Sequence, residues 1–264
     1  SPLGLLWQLE DINIPNPNHF GTLGTTGGPI SILNNNLLDN SDFFTSAFPA
    51  EYGNALSGVF DLRMRNGNNQ KREYVAQVGM NGFELGAEGP FSKKSKASYL
   101  LNYRYSTLAI FDALGISFGV SGVPQYQDVS FKINVPGTKL GRFTLFGVGG
   151  TSYIEILEKN RKENDWTFGH DKLDLRFGSD MGVIGMSHLF FFNKNTRIKT
   201  AIATSYTKST AKADSVYNNL PSLNYYGDES SETKYSISTK FTQKVSAKTN
   251  YNIGLLVDLY QISY

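Results

Sequence analysis

The side chains that could carry chemistry are few and poorly spaced for it. His19, His170 and His188 are the only histidines, and none has a partner at metal-ligand spacing. His170 stands beside Asp171 and reads as a solvated loop histidine. The run Gly21-Thr-Leu-Gly-Thr-Thr-Gly-Gly28 is rich in glycine but lacks the Gly-Lys-Ser/Thr that lets a phosphate loop hold its ligand. No serine nucleophile elbow and no regularly spaced carboxylate pair is present. Asp165-Trp166 could stack on a sugar, although a lone loop tryptophan more often packs locally. With no cysteine, thiolate metal sites, thiol nucleophiles and disulfides are excluded. The chain reads as a non-enzyme with no catalytic site, no metal and no cofactor.

If the chain makes no bonds, its function rests on what its elements enclose. The 264 residues carry a net charge of only +2, which removes the usual argument for nucleic acid as a partner. The charge is segregated. Residues 1–60 hold five acids (Glu10, Asp11, Asp39, Asp42, Glu51) and no lysine or arginine, so all 25 basic residues fall in 61–264. Two regions are implied, with a boundary near residue 70. Tyrosine, phenylalanine, glycine and asparagine are abundant, a mix that favours strands and turns. No apolar run is long enough for a transmembrane helix, and no signal-peptide pattern opens the chain.

From Glu73 onward apolar and polar residues alternate with period two in eight segments. Strands are expected at about 73–89, 97–106, 126–135, 142–154, 172–191, 197–208, 233–245 and 250–262. Val129, Phe131, Ile133 and Val135 oppose Asp128, Lys132 and Asn134; Tyr235, Ile237, Phe241 and Val245 oppose Lys234, Lys240 and Lys244. Tyr251, Ile253, Leu255, Val257 and Leu259 share one face. In the fifth segment Leu173, Leu175, Phe177, Met181 and Val183 are expected on one face, opposite Lys172, Asp174, Arg176 and Asp180. Several segments exceed the five or six residues of an ordinary strand and reach the roughly 9–11 of a membrane-crossing one.

The connections alternate strictly in the same reading. Gly89–Lys96, Pro136–Gly141, Phe192–Thr196 and Ser246–Thr249 are short; Thr107–Gln125, Glu155–Asp171 and Ser209–Glu232 are long. Short periplasmic turns and long external loops are the rule of outer-membrane barrels. The uncharged apolar faces are then expected against lipid, where a basic residue at mid-depth costs about 2–4 kcal/mol. Tyr153, Tyr206 and Tyr260 are placed for an aromatic girdle. A body of seventy residues has a radius of gyration of about 11 Å, too large for an eight-stranded barrel whose interior side chains already fill. About ten to fourteen further strands are therefore expected after Tyr264.

Residues 49–67, Pro-Ala-Glu-Tyr-Gly-Asn-Ala-Leu-Ser-Gly-Val-Phe-Asp-Leu-Arg-Met-Arg-Asn-Gly, resemble the end of the plug domain in TonB-dependent outer-membrane receptors. The motif places are Tyr52, Gly53, Ser57, Gly58, Val59 and Asp61. Gly53 and Gly58 are expected to let the chain turn tightly without a Cβ penalty. Upstream, Leu9-Glu10-Asp11-Ile12-Asn13-Ile14-Pro15 resembles a plug strand that usually reads Leu-Asp-Gly-Val-Pro, with Glu-Asp here in place of Asp-Gly. Asn16-Pro17-Asn18-His19-Phe20 and Gly86-Ala87-Glu88-Gly89-Pro90 are similar to segments of receptors from Bacteroidetes-type bacteria.

The resemblance implies an all-β transmembrane antiparallel β-barrel. About eight strands of a larger, 22-stranded barrel would be present, with residues 1–70 the C-terminal part of the plug and 71–264 the first part of the barrel. It implies nutrient import across the bacterial outer membrane driven through TonB, whose binding box is not in these residues. The partners implied are outer-membrane lipid, TonB, a surface lipoprotein and a small ligand. Ligand contacts are expected at Asn16, Asn18, His19 and Phe20 on the plug and at Tyr126, Trp166, Tyr225 and Tyr226 in the loops. Two rivals stand beside it: a passive porin-like or accessory barrel in a larger envelope complex, and a soluble β-sandwich carbohydrate-binding or adhesin domain.

Overall fold

The computed structural model describes residues 4–22, 24–45, 47–79, 82–106, 122–158, 173–216 and 223–264. Six short strands come first: β1 (Leu5–Leu9), β2 (Ile12–Ile14), β3 (Asn18–His19), β4 (Ile30–Ser31), β5 (Asp42–Phe44) and β6 (Gly58–Leu62). They are followed by β7 (Glu73–Gly79), β8 (Gly82–Pro90), β9 (Ser98–Tyr105), β10 (Gln125–Thr138), β11 (Gly141–Ile156), β12 (Leu173–Asn193), β13 (Thr196–Ser215), β14 (Leu223–Lys244) and β15 (Asn250–Ser263). Among the described residues no helix is long and apolar enough to cross a membrane, which says nothing of strands.

The amino-terminal body is a four-stranded sheet in the order β2-β1-β6-β5, with β1 and β6 parallel. Trp7, Phe60 and Phe43 lie opposite one another across β1, β6 and β5 and stack with centroids 4.2 Å apart at each step. Such cross-strand aromatic pairs are the unit of sheet stabilisation. Leu9-Glu10-Asp11-Ile12 is a two-residue hairpin, with φ of 53° at Glu10 and 70° at Asp11. A left-handed pair is what a type I′ turn requires. Here it is filled without glycine.

The remaining strands form one antiparallel sheet in strict chain order from β7 to β15, with β7 and β15 at its two edges. At about 3.3 Å per residue, the 21-residue β12 is about 70 Å long. Even tilted by about 45°, that exceeds a hydrocarbon core of about 30 Å. The long strands therefore project past any bilayer on the side of the long connections. One face of the sheet packs on the amino-terminal body. Leu9, Ile12, Ile32, Leu62 and Met64 of the body share a single buried core with Leu100, Phe146, Val148, Met181, Val183 and Ala201 of the sheet. The opposite face exposes Val129, Ile184, Met186, Ile202, Tyr235, Ile237, Ile253 and Leu255. An apolar outer band and a partly polar inner face follow, as an outer-membrane barrel wall needs.

The segment expected as one strand at 73–89 is a hairpin, since Glu73 pairs with Glu88 and Gly79 with Gly82. Nine strands result where eight segments were read, and the tight β7–β8 link interrupts the alternation of short and long connections. Period two cannot reveal this fold-back, because alternation continues through a two-residue turn. The expected loop Ser209–Glu232 is mostly strand: β13 and β14 pair out to Ser215 and Leu223. The fifth segment is reversed. Met181 and Val183 point inward into the shared core, and continuous register puts Leu173, Leu175 and Phe177 on that same face. The outward row of β12 is instead Ile184, Met186, His188 and Phe190, with Asp174, Arg176 and Asp180 towards the projecting end. Tyr153 and Tyr206 face out, but Tyr260 is on the inner face, its ring 5.6 Å from the Lys234 ammonium.

Candidate functional site

The charge segregation in the sequence becomes contact chemistry where the body meets the sheet. Period two in β10 sends Asp128, Lys132 and Asn134 inward, each under 7 % exposed. An isolated buried charge is costly. Lys132 Nζ accordingly donates to Glu10 Oε1 at 2.7 Å and to the Met64 carbonyl at 2.5 Å. Glu10 Oε1 also accepts from the Met64 backbone N–H at 3.1 Å. From β13, Lys199 reaches Asp11 at 2.5 Å and Glu10 at 3.6 Å. The unusual Glu-Asp turn is thereby explained: two wall lysines hold its carboxylates, and those contacts replace the glycine that the left-handed backbone would otherwise favour. Burial alone would raise the Asp11 pKa, yet Lys199, with Arg63 and Lys240 further off, holds it below its ordinary value.

A second cluster fixes the β3–β4 hairpin. His19 Nε2 lies 2.9 Å from Asp128 Oδ2, and Arg104 Nε and Nη2 donate to the same oxygen at 2.9 and 2.7 Å. Arg104 also donates to the Ser31 carbonyl. Facing a carboxylate, Nε2 is the donor of the imidazole, while Nδ1 is buried without a partner among the described residues. Gly150 makes room for this ring: a Cβ there would stand 2.7 Å from His19 Cε1. Three more ties join the body to the sheet. Lys234 donates to the Asn13 carbonyl at 2.7 Å, Arg65 grips Glu88 with bonds of 2.8 and 2.7 Å, and Lys240 pairs with Glu51. Hydrogen bonding to Glu88 raises the Arg65 pKa.

The expected ligand residues fall into two groups. Asn16, Asn18, His19, Phe20 and Tyr126 come together, with the Tyr126 ring 4.8 Å from His19. Most of their polar groups are already engaged. Asn18 Nδ2 donates to Asn16 Oδ1 at 2.6 Å, Asn16 Nδ2 to the Gly27 carbonyl at 2.9 Å, and the Phe20 N–H to Ser152 Oγ at 2.9 Å. Asn16 and Asn18 line the floor of a cleft of about 370 Å³ between the glycine-rich segment and the wall, with Ser179, Ser209, Glu232 and Asp258 opposite. His19 and Tyr126, at 1 % and 3 % exposure, are buried beneath that floor. Tyr126 belongs to β10 and not to a loop. Tyr225 and Tyr226 likewise lie in β14, where both are exposed, and neither lines this cleft. Trp166 and His170, with the rest of 159–172, lie outside the described residues.

The motif at 52–61 is a structural lock. Tyr52 O–H donates to Asp61 Oδ2 at 3.0 Å, which also accepts from Arg63 at 3.2 Å. Burial, with Asp61 adding to it, raises the Tyr52 pKa. Ser57 donates its N–H to the Gly4 carbonyl at 3.2 Å, and Val59 is fully buried. The expected glycine turn is corrected: the left-handed residue is Asn54, with φ of 61°, and Gly53 faces open space. Gly58 serves close approach instead, since a Cβ there would meet Leu5 at 2.8 Å. The wall partners Arg104, Lys132, Lys199 and Lys240 were missed individually. Their signal was present in the basic residues recurring on the polar face of a strand, opposite an acid-only stretch of chain.

No family model and no curated protein matches the sequence. Solved structures do match in shape. The siderophore receptor PirA of Acinetobacter baumannii superposes with a TM-score of 0.58 at 13% identity, covering 99% of this chain and 41% of that one. The ferric-catecholate import receptor Fiu of E. coli K12 gives 0.61 at 10% identity, covering 99% and 42%. The chain spans about two fifths of the length of each. Identity this low speaks for architecture alone, and the chain has the fold of part of an outer-membrane receptor barrel.

Proposed function

We propose that this chain is part of a TonB-dependent outer-membrane import receptor, with residues 1–70 the end of its plug and 71–264 the first strands of its barrel. One observation carries the reading: a small mixed sheet is docked by buried ion pairs onto the inner face of a strand wall whose outer face is apolar. A porin has no use for a body seated against its wall. A soluble sandwich would bury Leu255 and Ile237, which are 66% and 44% exposed. The fold shared with PirA and Fiu supports the same reading.

In this proposal ligand arrives from the side of the long connections and meets the cleft floored by Asn16 and Asn18. TonB-linked energy then loosens the plug from the wall. Binding, and no bond chemistry, is the work of the site. Ferric siderophores are the first ligands to try, since the two fold neighbours are described as siderophore and ferric-catecholate receptors. The test is uptake of radiolabelled ferric chelates by cells expressing the full-length protein, with and without TonB. TonB-dependent accumulation is expected, and Asn16→Ala with Asn18→Ala should reduce it several-fold at unchanged protein level. Uptake that ignores TonB would make the protein a passive barrel.

A further inference from the structure

The two ends of the wall differ in charge. At the projecting end the outward-facing charges are of both signs and pair with one another. Arg176 lies 3.2 Å from Glu155 and also meets Asp214, and Lys208 lies 2.7 Å from Glu229. The opposite end is built by four successive tight connections, 91–97, 139–140, 194–195 and 245–249. These contain Lys93, Lys94, Lys96, Lys139, Lys194 and Lys248 and no acid at all. All six lysines are exposed, and none is in an ion pair with a described residue.

In or next to each connection a large apolar side chain is exposed beside the lysines. Phe91 is 51% exposed, Leu140 68%, Phe192 59% and Val245 56%. Just above them, on the outward face, sits an aromatic cluster: His188 stacks on Phe143 at 4.5 Å, and Phe190 meets Phe192 edge-on at 5.1 Å. His188 Nε2 donates to the Leu140 carbonyl at 2.6 Å, tying a turn to this cluster. Aromatic rings and long cations at one level are the chemistry of a membrane–water interface: the apolar part enters the acyl boundary and the ammonium reaches the headgroups. An acid-free row of ammonium groups has a further consequence, since attraction to an anionic leaflet adds up along it.

We propose that this rim is a binding surface for the headgroups of anionic phospholipids in the leaflet facing the short turns. The inference rests on the outer-membrane reading, in which that leaflet is the periplasmic one. Phe91, Leu140, Phe192 and Val245 set the depth, and the lysines select phosphate carrying a net negative charge over zwitterionic headgroups. The regular repeat in four consecutive turns makes the surface a belt and not a single site. The acidic residues at the other end confine the preference to this one.

The full-length protein is reconstituted with spin-labelled phosphatidylglycerol or phosphatidylcholine, and the motionally restricted lipid fraction is measured. A preference of about threefold or more for phosphatidylglycerol at low salt is expected, falling as salt screens it. Replacing the six turn lysines by glutamine should remove at least half of that preference. Lys208→Gln with Lys212→Gln, at the other end, should leave it intact. Equal association of the two lipids in the unaltered protein would overturn the proposal, as would a preference that survives the six replacements. So would a rim that ignores lipid charge yet binds soluble polyglutamate through the same lysines, which would assign it to an acidic macromolecule. Absence of any restricted lipid fraction would instead refute the membrane reading itself.

Discussion

Residues decide whether the amino-terminal body stays on the wall, and Lys199 is the one to test. It neutralises Asp11 and part of Glu10 in a place where neither carboxylate is well hydrated. Breaking a buried pair by removing one partner costs about 3–5 kcal/mol, and the partial exposure of Lys199 lowers that to about 1–3. Hydrogen exchange at residues 8–13 should therefore show opening easier by that amount in Lys199→Ala. The pH dependence has a defined sign. Asp11 titrates below its ordinary value when docked, so its contribution is complete above the unfolded pKa of about 3.9 and is lost as pH falls through the docked value. Protection at residues 8–13 is thus expected to hold through neutral and mildly acidic pH and to weaken below about 4. Protection unchanged by Lys199→Ala would mean that the turn is held by packing alone.

At the scale of the element, the inner and outer rows of β12 are the informative case. Periodicity identified the strand and its two faces but chose the wrong one for lipid, because both are apolar over part of their length. Leu173, Leu175 and Phe177 look lipid-facing only if the body-facing Met181 and Val183 are read with them. The shared core shows why they are not: Met181 and Val183 pack against the body, and continuous register turns Leu173, Leu175 and Phe177 inward with them. Arginine in the outward row at Ile184 should cost about 2–4 kcal/mol of insertion free energy. Arginine at inward Leu175, above the body, should cost within about 1 kcal/mol. Heat-modifiable migration of the two full-length variants reads the difference. Equal loss of folded barrel in both would return the lipid face to the original assignment.

Across the whole molecule the acid-only stretch and the basic remainder are complementary halves of one interface. Its ion pairs are spread over β8, β10, β13 and β14, so their combined effect responds to reversal at one site and to repair at another. In planar bilayers the full-length protein should be nearly non-conducting. Lys132→Glu with Lys199→Glu should raise conductance severalfold by unseating the body, and adding Glu10→Lys with Asp11→Lys should restore closure. A reversal that leaves conductance unchanged would show that the hydrophobic core alone seats the body. One that the second pair fails to repair would tie the effect to wall folding and not to docking.

The sequence by itself determined the all-β class, the strands from β9 onward to within a few residues except where β13 and β14 extend to Ser215 and Leu223, and the inward faces of β10 and β14. A pleated backbone ties side-chain direction to residue number, so local pattern suffices there. It also carries the sorting of acids from bases along the chain. Tertiary structure alone decided the β7–β8 fold-back, the inward turn of Met181 and Val183, the burial of His19 under Asp128 and Arg104, and the pairing of Glu10 and Asp11 with Lys132 and Lys199. These join residues 19 to 128 or 11 to 199, and no local period records which surface of one segment will cover which surface of another. Only the packed body and wall bring such groups within hydrogen-bond reach.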